Sequence, residues 1–157
     1  MAEPAHQDDE PEHHRERTRA EARAGRRAPR AGATYARFLH ALATAGNYGA
    51  DDAESYAVAV VATLEERLPL DEVWGLEAQL PSRLAERLER EPILDLPRMD
   101  GRQLCARVAI RLGVTEREAE SIARVVFHVL RRRVSDGDAR HIEARLPSDM
   151  KHLWRDG

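Results

Sequence analysis

The side chains of this sequence that could carry out chemistry are not spaced in a way that would combine them. Seven histidines occur in 157 residues. Three lie in the N-terminal segment, and the other four are far apart along the chain (His40, His128, His141 and His152). A structural zinc site needs four ligands around the ion, and no local group of residues provides them. We expect no metal site and no cofactor, with weak chelation by the N-terminal histidines as the alternative.

The remaining reactive groups are better explained by helix structure than by catalysis. Cys105 has apolar neighbours, which is typical of a buried, inert thiol. The carboxylate pairs Asp51–Asp52 and Glu65–Glu66 fall at a predicted helix start and on a charged face, where they favour the helix and its solvation. The sequence has no glycine-rich phosphate loop, no nucleophile elbow and no HExxH motif. We predict that the protein is not an enzyme.

The composition predicts an all-α protein. Hydrophobic residues make up 42% of the chain, charged residues 34% and aromatic residues 4%, with a net charge of −3. Alanine, leucine, arginine and glutamate favour helices, whereas sheets are usually richer in β-branched and aromatic residues. We find neither an apolar run that could span a membrane nor an apolar leader, and one cysteine cannot form an internal disulfide. We therefore expect a cytoplasmic protein.

The sequence repeats itself at a constant offset. Pro81 and Pro147 lie 66 residues apart. With that shift, Leu80-Pro81-Ser82 falls on Leu146-Pro147-Ser148, and Ala53-Glu54-Ser55 falls on Ala119-Glu120-Ser121. The alignment continues without a gap across about fifty residues, which indicates a duplicated unit.

Each copy is predicted to form roughly four helices. Asn47 and Gly113 occupy equivalent positions, and both residue types readily adopt the left-handed conformation that ends a helix. Thr115 with Glu118 three residues later forms a capping box at the next helix start. The helices that follow are apolar on nearly every side over residues 56–64 and 122–130, so they are predicted to be central and buried.

The domain organisation follows from this repeat. We assign residues 1–31 to a disordered charged tail, 32–91 to copy one, 92–100 to a linker and 101–157 to copy two. A unit of about 55 residues buries too little surface to be comfortably stable alone. The two copies are therefore predicted to pack together as one pseudo-symmetric helical bundle.

The two tryptophans occupy different positions in the repeat. Trp154 aligns with Leu88 and is expected to close the C-terminal end of the core. Trp74 aligns with Arg140 and has Leu70 one turn before it. Trp74 is either a partly buried core residue or, together with Leu70, an aromatic anchor for a protein partner, a role in which tryptophan is over-represented.

The tail contains the candidates for nucleic-acid binding. Five acidic residues come first in the tail, and seven arginines follow: Arg15, Arg17, Arg19, Arg23, Arg26, Arg27 and Arg30. A basic arm can follow a phosphate backbone. The acidic stretch and the acidic core would compete for that arm, so this hypothesis ranks second.

Several short motifs recur in recognisable form in both copies. In copy two they are GVTEREAE at 113–120, LRRR at 130–133 and ARLPS at 144–148, ahead of Leu153-Trp154; in copy one they are DAE at 52–54, LEERL at 64–68 and AQLP at 78–81. In these motifs the sequence resembles a bacterial family known as domain of unknown function 2267, over about residues 34–154. The resemblance implies a duplicated helical fold in a soluble bacterial protein and supplies no catalytic residues.

The function is not determined by these patterns. The preferred hypothesis is a non-enzymatic helical module that binds another protein or a second copy of itself, without a membrane or a metal. The alternative is a nucleic-acid-associated protein that uses the arginine-rich tail.

Overall fold

Helices make up nearly all of the chain that the structure describes. The computed structural model describes residues 32–88 and 99–156, and these ranges contain no strand. They contain α1 (32–46), α2 (Ala50–Glu65), α3 (Leu70–Gln79), α4 (Ser82–Ala85), α5 (Gly101–Leu112), α6 (Glu116–Arg131), α7 (Asp136–Arg145) and α8 (Ser148–Asp156). The all-α prediction is confirmed.

The helix boundaries repeat with the same offset as the sequence. A shift of 66 residues brings α2 onto α6 and α3 onto α7 at both ends. The turn before each central helix also agrees, because Asn47 has φ 55° and Gly113 has φ 67°. Both residues adopt the left-handed conformation predicted for them. The duplication itself, and a two-fold relation of the whole bundle, remain predictions.

The two central helices begin with different caps. The Thr115 hydroxyl accepts a hydrogen bond from the Glu118 backbone N–H (3.2 Å), and the Glu118 carboxylate accepts one from the Thr115 N–H (2.8 Å). This pair is the predicted capping box of α6. The equivalent N-cap of α2 is Gly49, which makes no side-chain cap. The start of α6 is therefore fixed by side chains, whereas the start of α2 depends on packing.

Both copies contribute to one hydrophobic core. Helix α2 packs against α5 and α6, and α6 also packs against α5 and α8. Side chains from both copies are fully excluded from solvent and belong to one cluster, among them Phe38, Val60, Leu64, Phe127 and Leu130. Trp154 is also fully buried, with its ring 5.5 Å from that of Phe127. The prediction that Trp154 closes the core is confirmed.

Two of the assigned segments fall largely outside the described ranges. The structure does not describe the 1–31 tail, and of the 92–100 linker it describes only the last two residues. The exceptions are Met99, which is buried in the core, and Asp100, which caps α5 by accepting a hydrogen bond from the Gln103 N–H (2.7 Å). This end of the linker is therefore anchored to copy two.

The helix pair α3–α7 is joined by two reciprocal contacts. The Gln79 side-chain amide donates to Asp138 Oδ2 (2.5 Å), and Arg145 Nε donates to Glu72 Oε1 (2.8 Å). Each contact joins the end of one helix to the start of the other, so the helices run antiparallel. Gln79 and Arg145 are equivalent in the repeat, as are Glu72 and Asp138. Such reciprocity is what a two-fold axis between the helices would give.

The capping box predicts a measurable contribution to stability. Thr115→Ala removes the hydroxyl that satisfies an otherwise unpaired N–H, so we expect a loss of about 1 kcal/mol in the free energy of unfolding. Thr44→Ala is the control because Thr44 is exposed within α1, and its effect should stay within about 0.5 kcal/mol. Chemical denaturation followed by circular dichroism measures both. Equal effects of the two substitutions would contradict this account of the cap.

Candidate partner-binding face

Leu70 and Trp74 lie one helical turn apart on the outer side of α3. Each is 59% exposed to solvent. Between them in sequence, Val73 turns inward and is buried, as expected for a helix with one side on the core. The interpretation of Trp74 as a partly buried core residue is therefore wrong. Its indole is available to another molecule, and the Leu70 side chain lies beside it on the helix surface.

The second copy shows that the fold does not require apolar residues at these positions. The equivalents of Leu70 and Trp74 on α7 are Asp136 and Arg140, and both are exposed. Helices α3 and α7 nevertheless have the same length and pack against each other. The packing of α7 is thus compatible with charged residues at the two positions that Leu70 and Trp74 occupy on α3.

A cleft of about 310 Å³ opens between α3 and α7 beside this face. Its lining includes Leu76 and Ile142, which are almost completely buried and equivalent in the repeat. Gly75 also lines the cleft, and the absence of a side chain there leaves room between the helices. The charged and titratable residues of the lining are Asp71, Glu72, Asp138, His141 and Arg145.

The carboxylates of the cleft differ in how far they are already paired. The pKa of Asp138 lies below its usual range because the carboxylate accepts hydrogen bonds from the Ser135 hydroxyl (2.6 Å) and the Gln79 amide (2.5 Å). Glu72 accepts from Arg145 through Oε1, while its Oε2 is buried and has no hydrogen-bond partner among the described residues. With three carboxylates facing one guanidinium and one imidazole, the cleft favours a cation.

One protein family matches most of this chain. The family described as "Uncharacterized conserved protein (DUF2267)" matches residues 35–153. The chain belongs to the DUF2267 family. The resemblance proposed from the repeated motifs is confirmed, and the match spans both copies. A search of curated proteins gives no match.

In this DUF2267 chain the four histidines of the described residues lie apart from one another. His40, His128, His141 and His152 are all exposed and lie on four different helices. Among residues 32–88 and 99–156, no three histidine, cysteine, aspartate or glutamate side chains are grouped so as to hold a metal ion. No helix of the same ranges has the length and hydropathy needed to cross a bilayer.

Cys105 is a buried thiol, as the sequence predicted. Only 6% of the residue is exposed. Burial raises the pKa of the Cys105 thiol to about 11, and the nearby Glu120 carboxylate contributes to the rise. A thiol with this pKa is almost entirely protonated at neutral pH and is a poor nucleophile.

Sequence reasoning missed the polar lining of the cleft and an exposed side chain on α5. The sequence contains one indication of the polar lining. Glu72 and Arg145 are equivalent in the repeat to Asp138 and Gln79, and all four residues are polar. Ile110 is 82% exposed. The sequence gives no indication of this exposure, since an apolar residue in a helix is normally assigned to the core. The seven tail arginines proposed for nucleic-acid binding lie outside the described residues.

The environment of Cys105 predicts slow modification. A thiol reagent at pH 8 should react with the native protein at least about a hundredfold more slowly than with the protein unfolded in guanidinium, because burial limits both access and thiolate formation. The unfolded protein is the internal control, as Cys105 is the sole cysteine. Native and unfolded rates that agree would show that the thiol is accessible and ionised.

Proposed function

We propose that this DUF2267 protein is a non-enzymatic helical module that binds another protein through the α3 face carrying Leu70 and Trp74. The observation that supports the proposal is the exposure of Leu70 and Trp74, 59% each, on a helix whose equivalent in copy two has charged residues there. An exposed Trp–Leu pair that the architecture does not require is most simply explained by a partner that covers it.

The energetics favour such a role. Burial of apolar surface is worth about 25 cal/mol per Å², and tryptophan is enriched among the residues that dominate binding energy. The polar rim required around such an anchor is also present, in the exposed Asp71 and the charged residues of the cleft. A partner therefore needs an apolar side chain for Trp74 and polar groups around it. The setting we propose is the cytoplasm of a bacterium.

A second candidate function rests on the seven arginines between Arg15 and Arg30. In this version the protein associates with nucleic acid through its tail, and binding falls steeply as salt rises. Nuclease treatment separates the two candidates, because it abolishes recovery of a nucleic-acid complex and leaves a protein complex intact.

Exchanging residues between the copies tests the preferred function. Trp74→Arg places the residue of copy two at this position, so we expect the free energy of unfolding to change by no more than about 0.5 kcal/mol. Loss of an anchor worth about 2 kcal/mol should weaken partner binding about thirtyfold. The measurement is a crosslinked pull-down from bacterial lysate, followed by titration of the recovered partner.

Ile110→Thr is the matched control. It also replaces an exposed apolar residue with its repeat equivalent, Thr44, but on α5 instead of α3. The control should bind like the wild type. If Trp74→Arg and the wild type recover the same partners with equal affinity, the α3 face is not the binding site.

A further inference from the structure

The α3 face and the adjoining cleft have the chemistry that binds an arginine side chain. Asp71 is exposed and lies three residues before Trp74, so their side chains are neighbours on the helix surface. A guanidinium can stack on an aromatic ring while it pairs with a carboxylate. The adjoining cleft adds further negative charge, because Glu72 and Asp138 line it. An apolar anchor and an exposed carboxylate therefore lie side by side.

A segment of the same chain has the complementary charge. Residues 15–30 contain seven arginines and two glutamates. The lining of the α3–α7 cleft contains three carboxylates together with Arg145 and His141. Attraction between the arginines of this segment and the carboxylates of the cleft favours their association at low salt, and it is screened at high salt.

The attachment point of the segment allows it to reach the cleft. Gly32 is the first residue that the structure describes. A Cβ atom at Gly32 would lie 3.9 Å from Cζ of Arg83, so the two residues are neighbours. Arg83 belongs to α4, which directly follows α3 and packs against it. The ten residues of α3 span about 15 Å, whereas a chain of this segment's length can extend to about 50 Å. Tethering also raises the effective concentration to the millimolar range.

We propose that residues 15–30 of this chain dock on the α3–α7 cleft and cover the face of Leu70 and Trp74. The inference rests on the proposed function, because it assumes that this face binds polypeptide. Arginine side chains of the segment pair with Asp71 and stack on Trp74. A protein partner must then displace the segment, so its apparent affinity is lower for the full chain than for a chain without these arginines. The same arginines cannot bind nucleic acid while docked.

The test uses the full chain and the indole N–H signals of its two tryptophans in ¹H–¹⁵N NMR spectra. The test variant replaces all seven arginines of 15–30 with glutamine. The control variant replaces Glu3, Asp8, Asp9, Glu10 and Glu12 with their amides. We expect the arginine variant to shift the Trp74 indole and the backbone amides of α3 and α7. The buried Trp154 indole should stay in place, and high salt should move the wild-type signals toward those of the arginine variant.

Three results would overturn the proposal. One is identical Trp74 and α3 signals in the wild type and the arginine variant. Another is an equal shift in the control variant, which would reflect overall charge only. The third is a wild-type shift that disappears on dilution, since it would show docking by a second copy. None of these results bears on the proposed function, which fails only if partner binding survives Trp74→Arg.

Discussion

Helices α2 and α6 pack against each other, and each contributes side chains that are fully excluded from water, such as Val60 and Phe127. This burial is the constraint on which the other elements depend. Because a unit of about 55 residues buries too little surface to be comfortably stable alone, we expect each copy to supply surface that the other needs. Helix α5 packs against α2 as well as α6, which ties copy two to copy one. Residues on the outer sides of the surrounding helices are not under this constraint.

Helices α3 and α7 show how that freedom is used. Their facing sides are matched by the repeat, with Gln79 bonded to Asp138 and Arg145 bonded to Glu72. Their outer sides differ, because Trp74 in one is replaced by Arg140 in the other. A side chain that the packing does not demand, on a helix that the packing holds in place, is suited to recognition of a partner. The proposed role of α3 in partner binding rests on this contrast, within a single chain, between matched packing contacts and different surface residues.

Much of the fold could be predicted from the sequence, and the site only in part. Local rules that need only neighbouring residues predict the left-handed Asn47 and Gly113 and the capping box at Thr115. The burial of Trp154 is predicted from its alignment with Leu88 in the repeat. The sequence leaves open whether Trp74 is buried or exposed. A tryptophan on a short helix can face the core or the solvent, and only the packing of α3 decides which. The cleft could not be predicted, since it requires knowing that Glu72 and Arg145 meet across 73 residues. Such a contact depends on tertiary structure that no local pattern encodes.

The measurement that tests the shared core most directly is native-state hydrogen exchange at the backbone amides of α2 and α6. If the two copies form one cooperative core, the slowest amides of both helices should open with the same free energy, equal to that of global unfolding. Both should also respond equally to low concentrations of denaturant. Opening of one central helix at a clearly lower free energy, while the other stays protected, would show that the copies fold separately and would contradict this account.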